Sequence, residues 1–182
     1  GSVAVTKSYS SQISAIRAIS FANNGTKLYI AMHTAVYEYN LSTAWNLATS
    51  SYVGSYSTSS QTSLTKGLAV GDSGTKMYVN DDGTNKIYQY TLSTPYAIST
   101  SSYVKSYSST YYARGLDFSS DGLYYYHADD NGDLVYQRTL TTAWDIASGS
   151  QLSHSIASQT GNVTGVGVSA SGTKLYIIGE YG

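Results

Sequence analysis

The chain contains 182 residues, which is long enough for one domain with a buried core. Charged residues make up 12% of the sequence and the formal net charge is −1, so the sequence lacks the basic character of a nucleic-acid-binding protein. The absence of cysteine excludes disulfide bonds and thiolate metal sites. No apolar run reaches the roughly 18 residues of a membrane-spanning helix.

The composition is typical of an all-β protein with a polar surface. Tyrosine occurs 20 times and phenylalanine only twice, in a background rich in serine, threonine and glycine. Tyrosine and threonine suit half-exposed strands, and glycine, asparagine and aspartate suit the short turns between them. From this composition we expect an extracellular or virion-associated protein.

One motif, a turn that leads directly into a strand, occurs four times along the chain. Its copies occupy residues 25–30, 74–79, 122–127 and 172–177, and their first glycines are 49, 48 and 50 residues apart. A period near 50 residues with strand-like content indicates a β-propeller or a similar array of sheets.

Each full repeat contains four short apolar or alternating segments, which predict four antiparallel strands. The predicted fold is therefore an all-β propeller of four-stranded antiparallel blades, with three full blades and one partial or shared blade. We expect a single domain over residues 1–182, with repeats of about 14–62, 63–110, 111–158, and 159–182 together with 2–12. Residues 2–9 resemble a fourth strand that stands alone at the start.

The last repeat contains only a first and a second strand, which leaves three interpretations open. The chain is a fragment of a longer propeller, or it closes as a four-bladed ring with a defective blade, or separate chains complete one another. Because an unpaired strand is a template for another strand, self-association through open sheet edges is expected.

Two kinds of aromatic residue are predicted to join neighbouring blades. Tyr29, Tyr78, Tyr126 and Tyr176 recur once per repeat in the second strand. Trp45, Tyr96 and Trp144 occupy the same place in a corner between the third and fourth strands, where an aromatic ring can fill the gap between blades.

Segments such as Gly74-Thr75-Lys76-Met77-Tyr78, residues 87–94 and residues 102–107 resemble a repeat family of marine bacterial and phage proteins. Members are known as β-propeller or lactonase-like repeat proteins, and the resemblance covers essentially the whole chain. It implies the propeller fold. It does not imply an activity, because the repeats of this family consist of structural residues.

A candidate ligand site follows from the expected propeller topology. Loops that join fourth to first strands and second to third strands share one face of a propeller, and cations occupy equivalent positions there in three of the four repeats. The candidate ligand-binding residues are Arg17, Lys66, Arg114, Tyr111, Tyr112, His33, Asp82 and Asp130. A ring of cations with nearby tyrosines could bind a glycan or a small anionic ligand. The alternative is that the cations pair with aspartates of neighbouring blades and hold the ring together.

Metal binding and catalysis have weaker support in the sequence. Asp81 and Asp82, or Asp129, Asp130 and Asp133, are rich in oxygen ligands and could hold calcium, but such clusters are also ordinary turn sequences. No catalytic or metal-binding residue is predicted. The three histidines, His33, His127 and His154, occupy non-equivalent positions, and His127 is expected to be a packed substitution on a blade face.

The sequence favours a non-enzymatic recognition or structural module of a surface, secreted or phage-tail protein. One alternative is a lactonase-like hydrolytic propeller. Another is a self-assembling subunit whose incomplete blade is completed by another chain.

Overall fold

The computed structural model describes residues 6–109, 112–159 and 161–179, and within these ranges the chain is all-β. This described part forms three four-stranded sheets and one two-stranded sheet, all antiparallel. In each four-stranded sheet the spatial order of the strands follows their order in the sequence, so each is a simple meander. The predicted four-stranded repeat unit is therefore confirmed for the first three repeats. No helix in the described ranges is long and apolar enough to cross a membrane.

The strands fall into sheets in chain order. The first sheet contains β1 (Ala18–Ala22), β2 (Lys27–Ala31), β3 (Ala35–Leu41) and β4 (Ser50–Ser57). The second contains β5 (Thr65–Gly71), β6 (Lys76–Asp81), β7 (Lys86–Leu92) and β8 (Ser101–Ser108). The third contains β9 (Ala113–Phe118), β10 (Tyr124–Asp129), β11 (Leu134–Thr139) and β12 (Ser150–Ser155). The fourth contains β13 (Val163–Val168) and β14 (Leu175–Gly179). Short 3-10 turns occupy Asn23–Gly25, Leu47–Thr49, Asp72–Gly74 and Ile98–Thr100.

The strand predicted at the start of the chain is wrong where the structure describes it. Residues 6–9 are not a strand, and residues 1–5 lie outside the described residues. Tyr9 and Ile13 instead pack on the outer face of the first sheet, where the Tyr9 ring meets Tyr39 edge-on at 4.8 Å. A lone strand has no backbone partners, so side-chain burial determines the path of this segment.

The sheets pack face to face in chain order. One apolar core, which includes Tyr29 and Met77, lies between the first and second sheets. A second core, which includes Tyr78 and Phe118, lies between the second and third sheets, and a smaller one joins the third sheet to the fourth. The strands pair in equivalent register in the first two sheets. Ile19 pairs with Ile30 across β1–β2, and the equivalent Leu68 pairs with Val79 across β5–β6.

The recurring tyrosines join neighbouring sheets as predicted, at two of their four positions. Tyr29 Oη donates a hydrogen bond to the Tyr96 carbonyl of the second sheet at 2.8 Å. Tyr78 Oη donates in the same way to the Trp144 carbonyl of the third sheet at 2.7 Å. Both side chains are fully buried, and burial raises the pKa of each phenol.

The corner aromatics behave differently at the two ends of the chain. The Trp144 ring covers Gly71 of the second sheet and stacks on Phe118, which confirms the predicted packing between sheets. Trp45 does not fill such a gap, because its side chain is 64% exposed and contacts Gly25 and Phe21 of its own sheet. The fourth sheet, which would precede the first in a ring, has only two strands in the described residues.

Candidate functional site

The first strands of all four sheets surround one central cavity of about 270 Å³. Each sheet contributes its innermost strand, β1, β5, β9 or β13, to the cavity wall. The strands approach one another closely, since a Cβ atom on Gly67 would lie 2.9 Å from the Gly115 carbonyl carbon. A Cβ atom on Gly115 would lie 2.6 Å from the Val166 nitrogen. Glycine at these positions is therefore a packing requirement.

The predicted cations lie at the starts of these innermost strands. Arg17, Lys66 and the equivalent Thr164 line the cavity. Arg114 is absent from the cavity wall and points instead to carboxylates that follow the second strands. Its Nη2 atom lies 2.7 Å from Asp130 Oδ2 and 3.7 Å from Asp82 Oδ2. Arg114 thus bridges the second and third sheets, as the alternative structural interpretation expects.

Arg17 has a partner within its own sheet. Its Nε atom donates a hydrogen bond to His33 Nε2 at 2.8 Å, which requires that this ring nitrogen carry no proton. The Arg17 side chain remains exposed, and His33 is half-buried. The sequence prediction placed Arg17 and His33 on the same face, and the structure brings them into contact.

Lys66 differs from the two arginines. Among the residues that the structure describes, its ammonium group has no hydrogen bond or ion pair, although the side chain is half-buried. Burial lowers the pKa of Lys66, and the positive charges of Arg114 and Arg17 lower it further. Asp82 and Asp130 act in the opposite direction. Among the described residues, Lys66 thus lies near two other cations and two carboxylates, and both carboxylates pair with Arg114.

Two buried polar atoms beside Lys66 also lack partners in the described residues. They are Asp82 Oδ1 and Arg114 Nε. A buried donor or acceptor without a partner is unfavourable, so a small polar ligand or water that reached this point would gain hydrogen bonds.

The predicted tyrosines contribute less than expected to this cavity. Tyr112 is exposed, and its backbone N–H donates a hydrogen bond to Asn85 Oδ1 at 3.2 Å. It is absent from the cavity wall. Tyr111 lies outside the described residues.

The acidic loops proposed for calcium use their carboxylates as turn acceptors. Asp81 accepts hydrogen bonds from the Ser63 and Leu64 amides at Oδ1 and from Thr84 at Oδ2. Asp129 accepts from the Asn131 amide, and Asp133 accepts from the Asn162 amide. Within the described ranges no three metal-ligating side chains come together. The sequence predicted no metal site, and the calcium alternative at these loops stays untested.

Sequence reasoning missed a second concave region, a groove between the third sheet and β14. Its two adjoining cavities, of about 610 and 400 Å³, are both lined by His154, Ile156, Leu175 and Ile177. The incomplete fourth repeat pointed to an open edge. The residues of the third sheet that face this edge could have been found only by aligning them with their buried equivalents in the earlier sheets.

Comparisons with known proteins establish similarity of fold alone. No protein-family model matches the chain, and no curated protein matches it significantly. Among solved structures it is similar to the hydrazine synthase of Kuenenia stuttgartiensis, with a TM-score of 0.64 and 16% identity over 91% of this chain and 42% of that one. It is also similar to a proposed 6-phosphogluconolactonase of Bacteroides uniformis, with a TM-score of 0.59 and 12% identity over 86% of this chain and 48% of that one. The chain thus spans less than half the length of either protein.

Proposed function

We propose that the chain is a propeller-type recognition module that binds a small anionic ligand, such as an acidic sugar, at the mouth of the central cavity. The single observation that carries this proposal is Lys66, a half-buried cation on the cavity wall without a counter-ion in the described part of the chain.

The propeller assignment rests on the arrangement of the sheets. Four meandering antiparallel sheets follow one another, and their innermost strands face one cavity. A propeller places its blades in this way around a central channel. The likeness to much longer solved structures fits a chain that corresponds to part of a larger array of sheets.

The charge distribution supports an anionic ligand. Arg114 pairs with Asp82 and Asp130, and Arg17 donates to His33 through Nε, whereas the half-buried Lys66 ammonium group has no hydrogen bond to any described residue. Its lowered pKa reflects an environment in which positive charge is unfavourable. A bound anion would relieve this repulsion and would satisfy the ammonium group. An exposed surface rich in serine and tyrosine fits the extracellular or virion-associated setting that we propose for the module.

Isothermal titration calorimetry with inorganic phosphate and glucuronate tests this proposal, with glucose as the neutral control. We expect at least one anion to bind, and we expect Lys66→Met to weaken that binding by roughly ten-fold or more, as for a lost hydrogen bond to a charged group. Binding should also weaken at high salt, because the interaction is electrostatic.

The matched control is Lys7→Met, which removes an exposed lysine whose Nζ contacts the Ser50 carbonyl in the outer strand of the first sheet. This variant should bind like the wild type. If neither anion binds, or if Lys66→Met binds as well as Lys7→Met, the proposed site is wrong.

A further inference from the structure

The groove between the third sheet and β14 has the form of a binding site for further strands. Its floor includes side chains of β11 and β12, namely Val135, Gln137, Leu152 and His154. Its wall includes Leu175 and Ile177 of β14. Between the first and second sheets the equivalent volume is filled by the third strand and the corner of the next repeat, through Tyr88, Tyr90 and Ile98.

The wall of the groove ends in a free strand edge. β2, β6 and β10 are each paired on both sides, whereas β14 pairs only with β13 among the described strands. Leu175, which lines the groove, is 42% exposed, although the equivalent Leu28 and Met77 are buried. β14 also carries no charged residue and no proline, which are common protections of a free edge. It is therefore a competent template for another strand.

The complete sheets show which contacts such a strand would make. In the first and second sheets, a tyrosine of the second strand donates to the carbonyl of the next sheet's corner aromatic, as Tyr29 does to Tyr96 and Tyr78 does to Trp144. Tyr126 is the equivalent tyrosine of the third sheet. It lines the groove, and its hydroxyl has no hydrogen bond to any described residue.

A second inter-sheet hydrogen bond recurs beside the first. The Ile98 amide, two residues after Tyr96, donates to Glu38 Oε2 of the first sheet at 3.0 Å. The Ile146 amide, two residues after Trp144, donates to Gln89 Oε1 of the second sheet at 3.4 Å. Gln137 is the equivalent of Glu38 and Gln89 in the third sheet. It also lines the groove, and the described residues offer it no such partner.

We propose that this groove binds a β-hairpin of this same repeat type. The hairpin consists of a third strand that pairs with β14, a corner with an aromatic residue, and a fourth strand. The corner carbonyl accepts from Tyr126 Oη, and the amide two residues later donates to Gln137. Side chains like Tyr90 of β7 and Ile98, which are fully buried between the first and second sheets, fill the groove.

A second copy of the described fold does not fit this groove. Antiparallel pairing of β14 with its own copy would relate the two chains by a twofold axis perpendicular to the sheet. Each copy would then bring its β11 and β12 to the same face, where the two groove floors would collide. Donation of β3 and β4 by a second copy would expose the buried Val36 and Tyr39 of the donor.

A labelled synthetic peptide of residues 85–109, which contains β7, the Tyr96 corner and β8, is the test probe. Its binding to the 182-residue chain is measured by fluorescence anisotropy. We expect one peptide per chain, and we expect Tyr126→Phe and Gln137→Ala each to weaken binding about five-fold, as for one hydrogen bond. Tyr37→Phe is the matched control, because this half-buried hydroxyl has no hydrogen bond in the described structure and lies in the first sheet.

The same peptide, N-methylated at the Ile98 amide, isolates the hydrogen bond to Gln137. It should bind the wild type about five-fold more weakly than the unmodified peptide, yet it should bind Gln137→Ala with no further loss. The proposal is overturned if the peptide does not bind, or if Tyr126→Phe and Gln137→Ala bind it as the wild type does. If the chain instead forms a dimer in which β14 is protected, the groove binds a second copy and the proposal is also overturned.

Discussion

His127 lies in an unusual environment for a titratable side chain. It is fully buried, both ring nitrogens lack partners in the described residues, and its ring stacks on Tyr136 at 5.0 Å. Burial, with a further contribution from Arg138, lowers the pKa of His127 to about 4. The sequence expectation that His127 is a packed substitution is confirmed by its burial.

This environment predicts a specific dependence of stability on pH. In the unfolded chain His127 titrates near its ordinary pKa of about 6.5, so the unfolded state binds the proton first as the pH falls. The free energy of unfolding should be unaffected by this residue above pH 6.5 and should fall by about 3 kcal/mol between pH 6.5 and 4. Urea unfolding of the wild type and of His127→Val across this range measures the effect. Valine is chosen because Val79 occupies the equivalent position in the second sheet. The variant should lose the part of the pH dependence of the unfolding free energy that His127 causes. An identical slope in both proteins would contradict the account.

At the scale of the elements, the recurring tyrosine and the corner carbonyl fasten one sheet to the next. Tyr78→Phe removes the hydrogen bond to the Trp144 carbonyl and leaves that buried acceptor without its partner. We expect a loss of about 1 kcal/mol in the free energy of unfolding. Tyr126→Phe is the matched comparison, because its hydroxyl has no such acceptor in the described residues, and it should change stability by only a few tenths of a kcal/mol. Equal losses in chemical denaturation would argue against this role for the tyrosine.

The sequence predicted those features that depend on residues close together in the chain. The turn-strand motif gave the second strands at residues 25–30, 74–79 and 122–127 with their register, because glycine, the apolar alternation and the tyrosine lie within six residues. The different roles of Arg17, Lys66 and Arg114 could not be predicted in the same way. Those roles depend on contacts between residues distant in the sequence, with His33 and Asp130 in the same sheet as their arginines and Asp82 in a neighbouring sheet. The predicted lone strand is wrong at residues 6–9, because alternation does not supply a neighbouring strand.

At the scale of the whole molecule, the described residues form a series of packed sheets whose last sheet has an open strand edge. The first and second sheets are covered by a following four-stranded sheet and the third by only two strands, whereas Tyr176 and Ile178 of the fourth sheet remain exposed. At the opposite end, Trp45 lacks the neighbour that covers Trp144. The open edge itself is the central structural claim.

Residue-resolved hydrogen exchange by NMR tests this claim most directly, because it compares four strands that occupy the same place in the repeat. Amides of β2, β6 and β10 have strand partners on both sides, so all of them should exchange slowly. In β14 the amides that face β13 should be protected, and those on the opposite edge should exchange at rates near those of loops. Slow exchange of every β14 amide, in a sample that light scattering shows to be monomeric, would mean that the fourth sheet is complete and would contradict the account.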